Sequence, residues 1–277
     1  MKGGVGKSTL AVNLAWHFVA YTPWLKRVLL VDLDPQFNAS QYLLGVDKYT
    51  SKVVNPNTPT VWNILEQLTR TPTGGTPKPI TPSDAIIPVR TIHGTGGKKG
   101  QLDLLASRLE LAWSLKQPAQ KEGLLAKFLA KVQNDYDLVI IDCAPTESVL
   151  TTATYLAANY IVVPVKPEYL STIGLPLLVR SMNEFHQQYE DHHVELLGVV
   201  FNHASDYRPE EMKSKREVKS EAARLGWYVF NAEVTYSRSY PKGAREGSPI
   251  FWTSKAQHSR KSNFLSFAQE LAGRLQL

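Results

Sequence analysis

The hydrophobic positions of this chain form short continuous runs, separated by stretches in which apolar residues recur every three or four positions. The continuous runs predict buried strands at 27–32, 137–142, 160–165 and 196–201. Helical spacing fills the chain between and after them, at 10–19, 121–134, 147–157, 172–189 and 210–225. Strands that alternate with helices predict an α/β fold, a doubly wound and mostly parallel sheet with helices on both faces.

Residues 51–100 depart from this pattern, because they are rich in Pro, Thr and Gly around one short helix-like piece at 61–68. The stretches 71–79 and 93–100 are typical of exposed loops. The strand pattern resumes at 102–106, so we interpret 51–100 as a loop-rich insert in a single domain that spans 1–277.

Composition narrows the class of protein. A hydrophobic content of 43% suits a globular chain with a substantial core. No apolar stretch reaches the length of a membrane span. No membrane partner is expected, because the tail at 264–277 carries a single cation. The only cysteine is Cys143, which allows no internal disulfide and fits the reducing cytoplasm.

A glycine-rich segment at 3–9 is followed directly by a helical pattern. Its glycines let the backbone turn tightly enough to aim N–H groups at one anion, and the helix that follows adds the positive end of its dipole. A lysine and a hydroxyl in this setting reach the β- and γ-phosphates and Mg²⁺, respectively. The segment therefore predicts a nucleotide site made by Gly3, Gly4, Val5, Gly6, Lys7, Ser8 and Thr9, and the resemblance described next implies that the nucleotide is ATP.

Residues 2–8, Lys-Gly-Gly-Val-Gly-Lys-Ser, resemble the deviant Walker motif of the ParA and MinD family. The chain looks closest to ParA-type positioning ATPases, which include McdA-like relatives that position carboxysomes. In that family the first lysine, here Lys2, reaches across a sandwich dimer to the phosphates of the partner subunit's nucleotide. The resemblance implies that Lys2 and Lys7 are catalytic cations and that the chain is a homodimer with ATP.

Two acidic segments extend the resemblance. Val-Asp-Leu-Asp-Pro-Gln at 31–36 resembles the second family motif, which implies that Asp34 orients the attacking water and Asp32 holds the Mg²⁺ shell. Ile-Ile-Asp at 140–142 resembles a Walker B segment, which implies that Asp142 lies on the outer shell of Mg²⁺. Asn202 stands where the family places a residue that contacts adenine, and Pro-Val-Lys-Pro-Glu at 164–168 resembles another family segment.

Positive charge concentrates in the last quarter of the chain, a basic helical part at 201–277. It holds 13 Lys or Arg against 8 Asp or Glu, so most of the net charge of +6 lies there. One predicted helix presents several cations on roughly one face, and the segment after it resembles the ParA region with nonspecific DNA contacts. The candidate DNA-binding residues are Lys213, Lys215, Arg216, Lys219, Arg238, Lys242 and Arg245.

Two other classes stay open. A MinD-like membrane-surface ATPase would carry a basic amphipathic helix, whereas the tail at 264–277 has Arg274 as its only cation, so we expect a helix packed on the domain. A P-loop metabolic ATP-dependent enzyme would lack a residue like Lys2 and would need a small-molecule acceptor.

The resemblance implies an ATP-dependent dimerising switch with weak intrinsic ATPase activity. Its expected partners are nonspecific DNA and a ParB-like or other small adaptor that stimulates hydrolysis, and its expected location is the cytoplasm, on the nucleoid when ATP is bound. The cargo, a plasmid, a chromosome or a protein organelle, does not follow from the sequence. The P-loop fold places a central strand before the glycine loop, and we expect Met1 to be an internal methionine of a longer natural protein that supplies this strand.

Overall fold

The computed structural model describes residues 4–21, 23–66, 79–116, 120–144, 147–168, 171–204, 209–253 and 258–277, and of 171–173 the backbone alone. These residues form two compact units. The amino-terminal unit comprises 8–158 and 243–249, and the carboxyl-terminal unit comprises 1–7, 159–242 and 250–277. The predicted single-domain organisation stays a prediction.

Eleven α-helices lie in the described residues, several of them only one turn long. They are α1 Lys7–Ala20, α2 Asn38–Tyr49, α3 Val61–Leu65, α4 Pro82–Ala85, α5 Leu111–Ser114, α6 Leu124–Leu129, α7 Val149–Ala157, α8 Ser171–Gln188, α9 Pro209–Arg224, α10 Ser239–Glu246 and α11 His258–Leu275. Short 3₁₀ segments occupy Thr95–Gly97, Ala130–Val132 and Ile250–Trp252, and a π-helical segment, Thr50–Val54, follows α2.

The amino-terminal unit is built on a four-stranded sheet with the order β2-β3-β1-β4. Its strands are β1 Arg27–Leu33, β2 Ile86–His93, β3 Lys99–Leu105 and β4 Leu138–Cys143. β1 pairs in parallel with β3 on one side and β4 on the other, and β2 pairs antiparallel with β3. Because β1 is central, six of its seven residues are buried, as its continuous apolar run predicts.

The core of this unit lies between the sheet and the short helices. β1 contributes Leu29, Val31 and Leu33, all fully buried, and α6 contributes Phe128. α1 is buried along ten consecutive residues from Leu10, so it lies in the interior of the fold rather than on its surface. Burial on this scale stabilises each large side chain by roughly 1.5–3 kcal/mol relative to water.

The carboxyl-terminal unit contains a three-stranded parallel sheet with the order β5-β6-β7. Its strands are β5 Tyr160–Val165, β6 Glu195–Ala204 and β7 Val234–Thr235. Within the described residues, β4 and β5 each pair on one side only. The upstream central strand stays a prediction.

The tail is a packed helix, as the sequence predicts. α11 buries Phe264, Phe267 and Leu271, and Phe267 meets Phe230 edge to face at 5.1 Å. At its carboxyl end Arg274 donates a 3.0 Å hydrogen bond to the Leu197 carbonyl oxygen. The apolar face of this helix is therefore covered by the rest of its own unit.

Most of the predicted elements are confirmed, and the α/β class with a mostly parallel sheet flanked by helices is confirmed with them. The sequence analysis missed β2, which lies inside the insert and forms an antiparallel hairpin with β3. It also treated 93–100 as loop, although His93 and Lys99 pair across that hairpin. The predicted loop at 71–79 lies outside the described residues, except for Pro79.

Candidate functional site

The glycine loop adopts the backbone conformation that its composition predicts. Gly4 and Gly6 have φ angles of 78° and 79°, in the left-handed region that other residues avoid. α1 begins directly after them at Lys7, with Ser8 and Thr9 half-buried in its first turn. A tight loop that ends at a helix amino terminus is an anion-binding arrangement, since N–H groups and the helix dipole point at the same place.

Strand β6 ends against this loop. The Asn202 side-chain amide donates a 2.7 Å hydrogen bond to the Val5 carbonyl oxygen, and the Asn202 side-chain oxygen accepts one of 3.0 Å from the His203 N–H. Asn202 is almost fully buried. Its side chain therefore fixes the backbone of the loop, a contact that the sequence analysis did not foresee.

His203 follows in an unusual conformation. Its φ is 55°, which costs free energy for a residue with a Cβ atom. A Cβ atom on Gly6 would lie 2.9 Å from the His203 Nε2 atom. Burial and, secondarily, the charge of Lys166 lower the pKa of His203, so the ring stays neutral at neutral pH. The exposed ring of Tyr236 meets it edge to face at 5.7 Å.

In the amino-terminal unit, Asp32 lies at the end of β1 and is fully buried. Its Oδ2 atom accepts hydrogen bonds from the Ser40 N–H at 2.8 Å and the Ser40 hydroxyl at 2.7 Å, and its Oδ1 atom accepts one from the Asp34 N–H at 3.3 Å. Burial raises the pKa of Asp32 to about 6, against the opposing effect of these bonds. This carboxylate organises the turn that follows it.

Asp34 is largely buried, and its Oδ1 atom accepts a 2.9 Å hydrogen bond from the Gln36 N–H. Its carbonyl oxygen accepts two more, each of 2.8 Å, from the Phe37 N–H and the Ser107 hydroxyl. Phe37 is held at a φ of 43°. The side chain of Asp34 thus projects from a turn whose backbone is fixed from both sides.

Asp142, near the end of β4, is buried and lies beside Asp32 in the register of adjacent parallel strands. Parallel strands that end together bring their carboxyl-terminal side chains to one edge, which is where α/β sheets bind ligands. Asp32 and Asp142, both assigned to the Mg²⁺ shell by the family resemblance, are therefore neighbours at one end of the sheet.

The chemistry of the amino-terminal unit suits the metal ion of a bound nucleotide. Ser8, at the start of α1, carries a hydroxyl and is half-buried. No three His, Cys, Asp or Glu side chains in the described ranges gather into a metal cluster. A hydroxyl, water and phosphate oxygens are the ligands that Mg²⁺ prefers, and buried carboxylates such as Asp32 and Asp142 suit its outer shell. Lys2 and Gly3 lie outside the described residues.

The predicted DNA-binding cations differ in their surroundings. Lys213, Arg216 and Lys219 are exposed on α9, and the Lys219 ammonium lies 5.8 Å from the centre of the Phe201 ring. Lys215 instead points inward and forms a 2.5 Å ion pair with Glu233. Arg238 and Arg245 are exposed, and Lys242 is half-buried; these three lie on or beside α10.

Sequence reasoning missed three polar residues that contact the predicted ones: Ser40 and Ser107 in the amino-terminal unit, and His203 in the carboxyl-terminal unit. Ser40 follows Asp34 at a fixed short interval on α2, which is a signal that could have been used. Ser107 comes 73 residues after Asp34 in the chain, and only the pairing of β1 with β3 brings it near. None of the helices in the described part of the chain combines the length and apolar character that a membrane span requires.

Comparison with known proteins agrees with this geometry. Residues 1–195 match the family model described as an AAA domain. The chain is similar to the chromosome-partitioning ATPase Soj of Treponema pallidum, with 26% identity, over 99% of this chain and 94% of the relative. Its fold is similar to that of the ATP complex of a McdA variant from Cyanothece, with a TM-score of 0.76 and 18% identity, over 100% of this chain and 94% of the other.

A further solved structure with the same fold is the cobyrinic acid a,c-diamide synthase of Mycobacterium smegmatis with an ATP analogue and magnesium. It has 27% identity and a TM-score of 0.62, over 88% of each chain. Fold and glycine loop together define an α/β P-loop ATPase. The chain belongs to the ParA/MinD family of ATPases, and it is a nucleotide-binding ATPase of the ParA type.

Proposed function

We propose that this protein is an ATP-dependent switch that dimerises with ATP, binds nonspecific DNA in that state and releases it after hydrolysis. The observation that carries the proposal is the glycine loop, with Gly4 and Gly6 in left-handed conformation directly before α1, in a chain of the ParA/MinD family. The loop suits the phosphates of a nucleotide, because its backbone can approach them without side chains in the way.

Residues in and beside the loop bind different parts of the nucleotide and its metal ion. Lys7 pairs with the β- and γ-phosphates, and Ser8 offers its hydroxyl to the metal ion. Bound Mg²⁺ neutralises charge on the β- and γ-phosphates. Lys2 contacts the phosphates bound by the partner subunit, so that ATP favours the dimer by its higher affinity for that state.

Asp34 orients the water that attacks the γ-phosphorus, while the bond from that phosphorus to the bridging oxygen of ADP breaks. A carboxylate is a weak base toward water, so positioning describes its role better than proton abstraction. Its fixed backbone, held by Phe37 and Ser107, supports this assignment.

The exposed cations of α9, Lys213, Arg216 and Lys219, form the proposed DNA-binding surface, and the exposed Arg238 and Arg245 are further candidate contacts. Such contacts go to phosphates, so they are independent of sequence and weaken steeply with salt. A small adaptor protein stimulates hydrolysis and connects the cycle to a cargo. The similarity to Soj and to McdA supports partition or positioning as the class of task.

The deciding experiment measures retention of the protein on nonspecific duplex DNA with ATP or ADP across a salt series. We expect retention with ATP alone, lost in Lys2→Ala. The double variant Arg216→Ala/Lys219→Ala should flatten the dependence of log affinity on log salt by about 0.9 for each lost phosphate contact. Arg180→Ala is the matched control, because this exposed cation of α8 is already paired with Glu184.

Retention that is equal with ATP and ADP would overturn the switch. Retention on anionic liposomes but not on DNA would instead support the MinD-like alternative.

A metabolic ATP-dependent enzyme is a second candidate, favoured by the similarity to the cobyrinic acid a,c-diamide synthase. That class couples ATP cleavage to a small-molecule acceptor. ATP turnover that requires an added carboxylic acid and amide donor, and that DNA leaves unchanged, would support it over the positioning ATPase.

A further inference from the structure

The hydroxyl of Ser107 lies beneath the turn that carries Asp34. We propose that Ser107 is a positioning residue for ATP hydrolysis, which acts by fixing the backbone of Asp34 and, through it, the place of the attacking water. This inference rests on the proposed ATPase function and on the role of Asp34 in it.

The contact is direct and buried. The Ser107 hydroxyl donates a 2.8 Å hydrogen bond to the Asp34 carbonyl oxygen, and the Ser107 residue is fully buried. The Ser107 N–H donates to the Ser40 hydroxyl oxygen at 3.0 Å, and the Ser40 hydroxyl donates to Asp32 at 2.7 Å. Since the Asp34 N–H donates back to Asp32, these bonds close a ring around the turn.

A second set of contacts holds Ser107 itself. The Tyr49 hydroxyl donates a 2.8 Å hydrogen bond to the Ser107 carbonyl oxygen. The Tyr49 ring also stacks on Phe37, with 5.3 Å between ring centres. Phe37 is the residue held at positive φ that closes the turn onto the Asp34 carbonyl oxygen. Ser107, just after β3, is therefore connected through buried contacts both to α2 and to the turn that carries Asp34.

None of the residues in this network belongs to the glycine loop, so we expect an effect on hydrolysis and not on nucleotide affinity. Ser107→Ala removes one of the two hydrogen bonds to the Asp34 carbonyl oxygen and leaves the Asp34 carboxylate unchanged. A displacement of the order of 1 Å in a positioned group lowers the rate by up to about 100-fold. We expect kcat to fall roughly 10- to 100-fold, with the dissociation constant of a nonhydrolysable ATP analogue within about twofold of wild type.

A serine that merely stabilises the unit would behave differently, and Ser114 supplies the matched control. It is also fully buried in the amino-terminal unit, and its hydroxyl donates a 2.7 Å hydrogen bond to Glu66. Ser114→Ala should lower the melting temperature to a similar extent as Ser107→Ala while leaving kcat unchanged. Ser107→Thr keeps a hydroxyl at this position and should recover part of kcat.

The decisive measurement is a double-mutant cycle with Asp34→Asn, reading kcat and analogue affinity for each protein. If Ser107 acts through Asp34, adding Ser107→Ala to Asp34→Asn lowers kcat no further. The inference would be overturned if each substitution lowered kcat by its own factor and the two factors multiplied in the double variant. It would also be overturned if Ser107→Ala and Ser114→Ala had the same kcat. In both cases the ATPase function would stand. A wild-type protein that hydrolyses no ATP would overturn both.

Should Ser107→Ala fail to fold, Tyr49→Phe tests the same network by removing the hydroxyl that binds the Ser107 carbonyl oxygen. It should lower kcat roughly threefold, the order expected for one lost hydrogen bond, at constant analogue affinity. An unchanged kcat in Tyr49→Phe would count against the inference.

Discussion

The side-chain amide of Asn202 donates a 2.7 Å hydrogen bond to the carbonyl oxygen of Val5, although 197 residues separate the two in the chain. The remaining oxygen of that amide accepts the His203 N–H, so the orientation of the group is set by one donor and one acceptor. The glycine loop is therefore held in place by the end of β6. The predicted contact of Asn202 with adenine stays a prediction.

Replacing Asn202 with Ala should loosen the glycine loop. The change removes the donor to Val5 and leaves buried polar groups unsatisfied, at a cost of about 1–3 kcal/mol. We expect a lower melting temperature and, because the loop is no longer preorganised, weaker binding of an ATP analogue by calorimetry. Asn263→Ala is the control, since that amide donates to Thr235 in the same unit. Equal analogue affinity in both variants would contradict a bracing role for Asn202.

The two glycines of the loop should respond differently to the same substitution. Gly6→Ala would place a Cβ atom 2.6 Å from the Asn202 Nδ2 atom and 2.9 Å from the His203 Nε2 atom, whereas no described atom lies within 4 Å of that position at Gly4. Both variants carry the strain of a positive φ, roughly 1–2 kcal/mol. The additional clash in Gly6→Ala should weaken ATP-analogue binding by about tenfold or more relative to Gly4→Ala. Similar dissociation constants for the two variants would show that the crowding is relieved without effect on the loop.

The parts of this protein that were predictable from sequence are those with local signals. The apolar run of β1 predicts a buried strand from a few adjacent residues, and the glycines before Lys7 predict a tight loop in the same way. β2 gave no such signal, because Pro88 interrupts it, a bulge follows, and only one of its eight residues, Ile87, is buried. An edge strand of this kind looks like a loop in the sequence.

Long-range polar contacts were also beyond reach. Helical spacing correctly places Lys213, Arg216 and Lys219 near one another, but it cannot show that Lys215 meets Glu233, which lies outside α9. The hydrogen bond from Ser107 to the Asp34 backbone depends in the same way on strand order, which the sequence pattern does not specify.

His17 should make the stability of the protein depend on pH. It is buried in α1 against the rings of Tyr21 at 5.0 Å and Trp24 at 4.8 Å, and burial lowers its pKa from 6.5 to about 4. The unfolded chain therefore takes up a proton at a higher pH than the folded one. This contribution to stability is present above pH 6.5 and is lost as pH falls toward 4, by about 2 kcal/mol at pH 5.

The measurement is the free energy of unfolding by denaturant at pH 7.5 and pH 5.0, for the wild type and for His17→Gln. The wild type should lose more stability between the two pH values than the variant. Asp32 has the opposite effect on the pH dependence of stability. Its raised pKa favours the folded state at low pH, and that contribution is lost as pH rises through about 6. Since Asp32 is present in both proteins, the difference between them isolates His17. An equal loss of stability in the wild type and in His17→Gln would exclude a contribution of His17 to the pH dependence.

The ion pair between Lys215 and Glu233 should contribute to the stability of the protein. Their side chains are 10% and 22% exposed, so the ion pair is largely removed from water. Lys215→Met leaves the half-buried Glu233 carboxylate without this partner, and we expect a loss of about 2 kcal/mol in the free energy of unfolding. The double variant Lys215→Met/Glu233→Gln should recover much of this loss, because it removes the uncompensated charge.

Arg216→Ala, one residue along the same helix and exposed, should change stability by less than about 0.5 kcal/mol while weakening DNA retention. The two neighbours thus separate a folding role from a binding role on α9. If Lys215→Met folded as stably as the wild type and lost DNA retention to the same extent as Arg216→Ala, the ion pair would open in the DNA complex, and Lys215 would rejoin the binding surface. If it lost stability and kept the salt dependence of retention, Lys215 would be a supporting residue beneath that surface.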